Sequence, residues 1–182
     1  MKSYALICKA AVAGVAVACS AAALAADAPQ IDSRVQGTLE RFYAQNATNR
    51  ELASKAAAVL VFPRVTKAGA GVGGEFGEGA LEVRGKTVGY YKLTGASVGA
   101  TLGAARRSEV FLFMTDESRE RFMSSRDWTV GADTGVAIAR KGMGAQYDSG
   151  ALHKPVLAFV FGEKGLIGDA SVEGSKVTRL PE

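Results

Sequence analysis

Three stretches of this sequence carry residue types at spacings that suggest chemistry. "GASVG", Gly95 to Gly99, puts Ser97 at the centre of the G-x-S-x-G pattern that presents a nucleophilic serine. Asp127, Asp133 and Asp148 follow it, and His153 comes after them, which is the order of partners in a serine hydrolase. "GALEVRGKT", residues 79 to 87, scans as a phosphate loop, with Ala80 in the leading small position and Gly85, Lys86 and Thr87 closing it. "GAGVGG", Gly69 to Gly74, scans as the G-x-G-x-x-G of a dinucleotide site.

Each pattern fails on the elements that would have to position it. A phosphate loop needs a strand before it and a helix after it, so that free backbone N–H groups face the anion. Here "LEVR" alternates like a strand, and "TVGYYKL" after Lys86 is β-branched and aromatic, so the glycine and lysine make a hairpin turn. "EFGEGALEV" after the G-x-G-x-x-G is no helix, and no βαβ unit surrounds it. The serine elbow needs a sharp strand-to-helix turn in a parallel sheet, which calls for more βα units than this chain supplies. Ser97 therefore reads as one more small residue on a glycine-rich face, and His153 as a loop residue. A single histidine with no cysteine near it makes no zinc site. The expectation is a protein that is not an enzyme, with no catalytic set, no metal, no cofactor and no nucleotide.

The N-terminus reads as an export signal: Lys2 and Lys9, an uncharged Ala/Val-rich run from Ala10, then Ala23-Leu24-Ala25 as a small-x-small cleavage pattern. Within the run, "AVAC" ending at Cys19 resembles a bacterial lipobox, with Ala16 in place of the usual leucine. Both outcomes stay open: a leader of residues 1–25, or a leader of 1–18 and a lipoprotein acylated at Cys19. Residues 26–182 then form one domain. The chain has 22 basic against 18 acidic side chains, and two of the lysines belong to the leader, so no excess of nucleic-acid size remains. Both cysteines, Cys8 and Cys19, lie in the leader, and the domain must be held by its core.

The elements expected are two N-terminal helices, one short inserted helix and a curved, antiparallel, glycine-rich sheet or barrel-like sheet, an α+β fold. Ile31, Val35, Leu39 and Phe42 form one apolar stripe in "IDSRVQGTLERFYAQN", which suits packing on a sheet or entry into a bilayer. "TNRE", Thr48 to Glu51, reads as a capping box that launches "LASKAAAVL" as a second helix, ending before Pro63. "DESRERFM" follows Thr115 as a third, N-capped helix. "TVGYYKL", "EVFLFM", "WTVGADTGVAIAR", "VLAFVF", "LIGDASV" and "SKVTRL" read as strands, with a turn at Glu163-Lys164-Gly165. Eleven glycines fall between Gly69 and Ala105, and from Gly95 onward small and apolar residues alternate. Glycine at that density in strands implies a close backbone approach.

"VLVFPRVTKAGAGVGGEFGEGALEV", "SEVFLFMTDESRERF", "WTVGADTGVAIA" and "EKGLIGDASVEGSKV" follow one another in the order of the blocks of the SYLF domain family, which the chain resembles from about Ala56 to Leu180. The resemblance implies a lipid-binding module. Eukaryotic relatives attach to phosphoinositide membranes and, in yeast-type members, to actin, and exported bacterial members resemble this single-domain form. No SH3 or FYVE companion accompanies the domain, and actin is not an expected partner. The reading is an exported, periplasmic lipid-binding protein that favours anionic phospholipid; a structural envelope lipoprotein without a ligand, and a hydrolase built on Ser97, are the alternatives. Arg64, Lys67, Arg106, Arg107 and Lys164 all sit at expected strand ends, which an antiparallel sheet can gather on one rim, and some of them are expected to form a headgroup site. Lys67 leads them, because its "KAG" block belongs to the resemblance. The oligomeric state is left open.

Overall fold

The computed structural model describes residues 27–130, 136–140, 153–165 and 174–181. The leader and Cys19 lie outside them, as do "LIGDASV", Asp133 and Asp148. The described chain runs α1 (Ala28–Gln45), α2 (Ala47–Lys55), β1 (Ala58–Val83), β2 (Lys86–Phe113), α3 (Asp116–Ser124), β3 (Asp127–Thr129), β4 (Val136–Arg140), β5 (Val156–Gly165) and β6 (Lys176–Arg179).

Pro29 opens α1, where its missing N–H costs nothing. The expected stripe of Ile31, Val35, Leu39 and Phe42 is buried on the sheet. The helix stops at Asn46, which is extended and whose Oδ1 accepts from the Thr48 N–H at 3.0 Å, so Asn46, not Thr48, caps α2. Asn49 closes the corner by donating from Nδ2 to the Phe42 carbonyl. α2 ends at Lys55, earlier than expected, because "AVLVF" enters the sheet and buries Leu60, Val61 and Phe62 completely. α3 begins where expected, with Thr115 and Ser118 forming a reciprocal capping box.

The sheet is mixed and curls into half a barrel. β2 is its spine. One edge pairs antiparallel with β1 along nearly its whole length; the other pairs with β6 at Tyr91–Thr94 and with β5 at Ala105–Phe113. β3 lies outside β6, and β4 pairs with β5 in parallel, the one departure from the expected antiparallel pattern among the described strands. Inside the curl, Phe62, Phe111, Phe113, Phe122 and Trp128 pack edge-to-face and tilted. Outside it, Phe42 of α1 packs on Phe159 and Phe161. Two polar clamps hold α1 to the hairpin: Asp32 accepts from Thr87 and Tyr90, and Gln36 donates to Glu82.

The glycine-rich stretch lets β1 cross itself. A Cβ at residue 79 would stand 2.0 Å from the Val61 carbonyl oxygen and 2.8 Å from the Phe62 ring. One at residue 77 would stand 2.9 Å from Val65 Cγ2 and 3.0 Å from the Arg64 oxygen. The close approach expected from the composition is thus made by the strand's own first half. The bend begins at Pro63, where Pro63 and Arg64 face the single residue Ser108 in a bulge, and Ser108 Oγ donates to the Pro63 carbonyl at 2.9 Å.

Two substitutions test this arrangement by chemical denaturation. Gly79→Ala puts a methyl group into backbone that cannot retreat and should cost about 3 kcal/mol or more. Gly37→Ala, in the middle of α1 with nothing within 4 Å of the added carbon, should add roughly 0.5–1 kcal/mol.

Candidate functional site

The chemical motifs resolve into strand geometry. Arg84 and Gly85 both have positive φ, 52° and 73°, and link the paired residues Val83 and Lys86, which is a two-residue type I′ hairpin turn with no helix for an anion to cap. Residues 69 to 74 lie inside β1. Ser97 lies in the interior of β2, opposite Gly73, so no strand-to-helix elbow forms around it. His153 is exposed just ahead of β5, and Asp127 is engaged by Lys176 at 3.1 Å and Thr178 at 2.9 Å.

The five basic candidates divide between the two faces of the sheet. Thr66 pairs with Arg106, and Arg106 pairs with Lys164, so these three share one face in a row across β1, β2 and β5. Arg64 lines the same pocket as Thr66, with Arg34 of α1 beside it. Arg64, Arg106 and Lys164 are exposed, and among the described residues none of them is ion-paired. Lys164 is not in a turn: β5 continues through Gly165, with Gly162 at φ 70° beside a register shift opposite Arg107.

Lys67 and Arg107 point the other way. Neighbours on a strand face opposite sides, so Lys67 is turned from Thr66 and Arg107 from Arg106. Both are buried, at 4% and 5% exposed. The five therefore do not share one rim, and Lys67, which led the expected site, lies on the buried face. Arg107 lies inside the curl between two carboxylates, with Nη2 2.8 Å from Glu75 Oε2 and Nε 2.6 Å from Glu109 Oε1. Ser175 Oγ donates to Glu75 Oε1. Glu75 reaches Arg107 by leaning over Gly95, its partner in the register, where a Cβ would stand 2.6 Å from Glu75 Oε1.

The electrostatics of this cluster follow from one guanidinium meeting two carboxylates. Glu109 is fully buried, and its Oε2 has no hydrogen-bond partner among the described residues. Burial, with a smaller push from Glu75, outweighs the pull of Arg107 and raises the Glu109 carboxyl to about 7. Burial works against the charge on Arg107, yet Glu109 and Glu75 together hold its pKa above the ordinary value.

Sequence reasoning missed Glu75, Glu109 and Ser175, which are far apart in the chain. It also missed Arg34, hidden on the polar side of the helix stripe. The separation of Arg106 from Arg107 was available in the two-residue period of a strand.

Because the folded pKa of Glu109 lies above its ordinary 4.5, the folded protein holds an extra proton between about pH 4.5 and 7. The stabilisation that this proton brings is complete below 4.5 and lost as pH rises through 7, on the order of 3 kcal/mol at most. Denaturation from pH 4 to 8 should show that loss in the wild-type chain and a flatter profile in Glu109→Gln.

Residues 94–181 match the family model described as Ysc84, Las17-binding protein actin regulator. The match runs from Thr94 in β2 through β6 and leaves α1, α2 and β1 outside it. A comparison with curated proteins finds no match. That stretch, just under half of the chain, is similar to the Ysc84 family, the SYLF family that the sequence blocks resemble.

Proposed function

We propose that this chain is an exported lipid-binding protein that meets anionic headgroups through the outer row of Arg64, Arg106 and Lys164, with Arg34 beside it. The observation that carries this reading is the register: Thr66–Arg106–Lys164 brings cations from separate strands to one exposed face, next to the Arg34 and Arg64 pocket. The similarity of residues 94–181 to the Ysc84 (SYLF) family supports lipid as the ligand class. Lys67 and Arg107, buried on the other face, leave the headgroup site of this reading. No bond is made or broken in it, and Ser97 and His153 have no part.

A surface row of this kind works through long-range attraction. Each basic side chain at an anionic membrane is worth about 1 kcal/mol, and the attraction weakens as added salt shortens the Debye length from about 10 Å at 0.1 M to about 3 Å at 1 M. Vesicle co-sedimentation should therefore show tighter binding to phosphatidylglycerol-containing than to pure phosphatidylcholine vesicles. Binding should fall with salt and drop at least about a hundredfold in the Arg64→Glu, Arg106→Glu, Lys164→Glu triple variant. Equal binding to both vesicle types, unchanged in the variant, would remove the headgroup row.

Export belongs to the same proposal, with a periplasmic protein that Cys19 anchors to the outer membrane if it is acylated. The intact mass of protein extracted from cells should correspond to a chain starting at acylated Cys19 or at Ala26. In the first case Cys19→Ala changes both mass and membrane fractionation, and in the second it changes neither. A mass that retains residues 1–18 contradicts export.

A further inference from the structure

Beside the basic row stands an apolar side chain that the fold leaves uncovered. Phe76 is 45% exposed, the most exposed of the large hydrophobic residues described. It lines an open pocket of about 120 Å³ together with Ile31 and Pro63, and with Arg34, Arg64 and Glu78 at the edge. Glu78 lies directly across from Lys92 in the β1–β2 register, where the opposite charges face each other. The ring projects from the strand crossing itself: its neighbour Gly77 lies against Arg64 and Val65 too closely for any side chain. The backbone that carries Phe76 is therefore fixed on the same element as Arg64.

An aromatic ring with Arg34 and Arg64 lining the same pocket matches the layering of a bilayer surface, where charged phosphates lie a few ångströms above apolar chains. Arginine stems can lie along the apolar layer while their guanidiniums stay with the phosphates. The pocket is too small to enclose a lipid, since sites that engulf ligands run from about 300 to 1,000 Å³. We infer that Phe76 inserts into the bilayer boundary beside the headgroups held by Arg34 and Arg64, so that the chain binds lipid in place at a membrane surface and does not extract it. The inference rests on the lipid reading above and adds the apolar half of the contact. A soluble phosphate ester would use the cations and leave the ring idle.

Tryptophan fluorescence separates the two. The chain has one tryptophan, Trp128, which is 1% exposed inside the curl and serves as an internal reference. The full chain carrying Phe76→Trp is mixed with vesicles of equimolar phosphatidylglycerol and phosphatidylcholine, with or without brominated acyl chains, and separately with glycerol phosphate. The expected result is a blue shift on vesicle binding and strong quenching by the brominated chains, both absent from the wild-type protein. Phe76→Ser, at an exposed position that the fold does not need, should lower vesicle affinity about tenfold and keep its salt dependence. Vesicle binding with no shift and no quenching from residue 76 overturns the inserted ring and leaves the headgroup row standing. Binding of glycerol phosphate without binding of vesicles overturns both, as does binding of neither.

Discussion

The structure depends on a contact between two pieces of one strand. At Gly79 the backbone of β1 comes so close to Val61 that a single added carbon would stand 2.0 Å from a carbonyl oxygen, and at Gly77 one would stand 3.0 Å from the Arg64 oxygen. Backbone cannot swing aside as a side chain can, so the crossing depends above all on glycine at residue 79. Because β1 pairs with β2 along nearly its whole length, the bend in one long strand becomes the curl of the sheet. The curl then creates an inside, filled by aromatic rings and α3, and an outside, covered in part by α1.

Curling also sorts charge. Along β2, Arg106 and Arg107 are one residue apart, and the strand period sends the first outward to Lys164 and the second inward to Glu75 and Glu109. The inward group is costly: three charged side chains leave water, and the second carboxylate exceeds what one guanidinium can neutralise. The protein offsets part of this cost by holding Glu109 protonated over much of the acidic range. What the cluster provides is a tie between β1, β2 and the segment ahead of β6, at the level where the sheet bends. The outward group carries no such burden and is presented to solvent on a fixed scaffold, as a surface site for a charged partner requires.

Much of this architecture was legible in the sequence because it depends on local rules. The stripe of Ile31, Val35, Leu39 and Phe42, the Thr115 cap and the hairpin turn each need only a few neighbouring residues, and each appears where those rules place it, save that the turn falls on Arg84-Gly85, one residue ahead of the expected Gly85-Lys86. The density of glycine announced a close approach but not its partner, which for Gly79 is Val61, near the start of the same strand. Three features stayed hidden for related reasons. Asn46 outcompeted Thr48 as a cap because the chain turns a corner there. "AVLVF" left helix for strand because tertiary burial overrides the alanines' preference. The buried carboxylates were invisible because Glu75, Glu109 and Ser175 meet only after the sheet has curled. Of the candidate basic residues, Arg64, Arg106 and Lys164 lie on one exposed face, whereas the emphasis on Lys67 ignored that its neighbour Thr66 already claims that face.

One crossing sorts the cations into an interior set and an exposed row, and the proposal gives that row to the membrane. Amine-reactive footprinting of lysines, read by mass spectrometry with and without anionic vesicles, tests both parts at once. The account predicts that Lys164 is modified in the free protein and protected by vesicles, while Lys67 stays unmodified throughout. Modification of Lys67 at the rate of Lys164, or a Lys164 rate unaffected by bound vesicles, would contradict it.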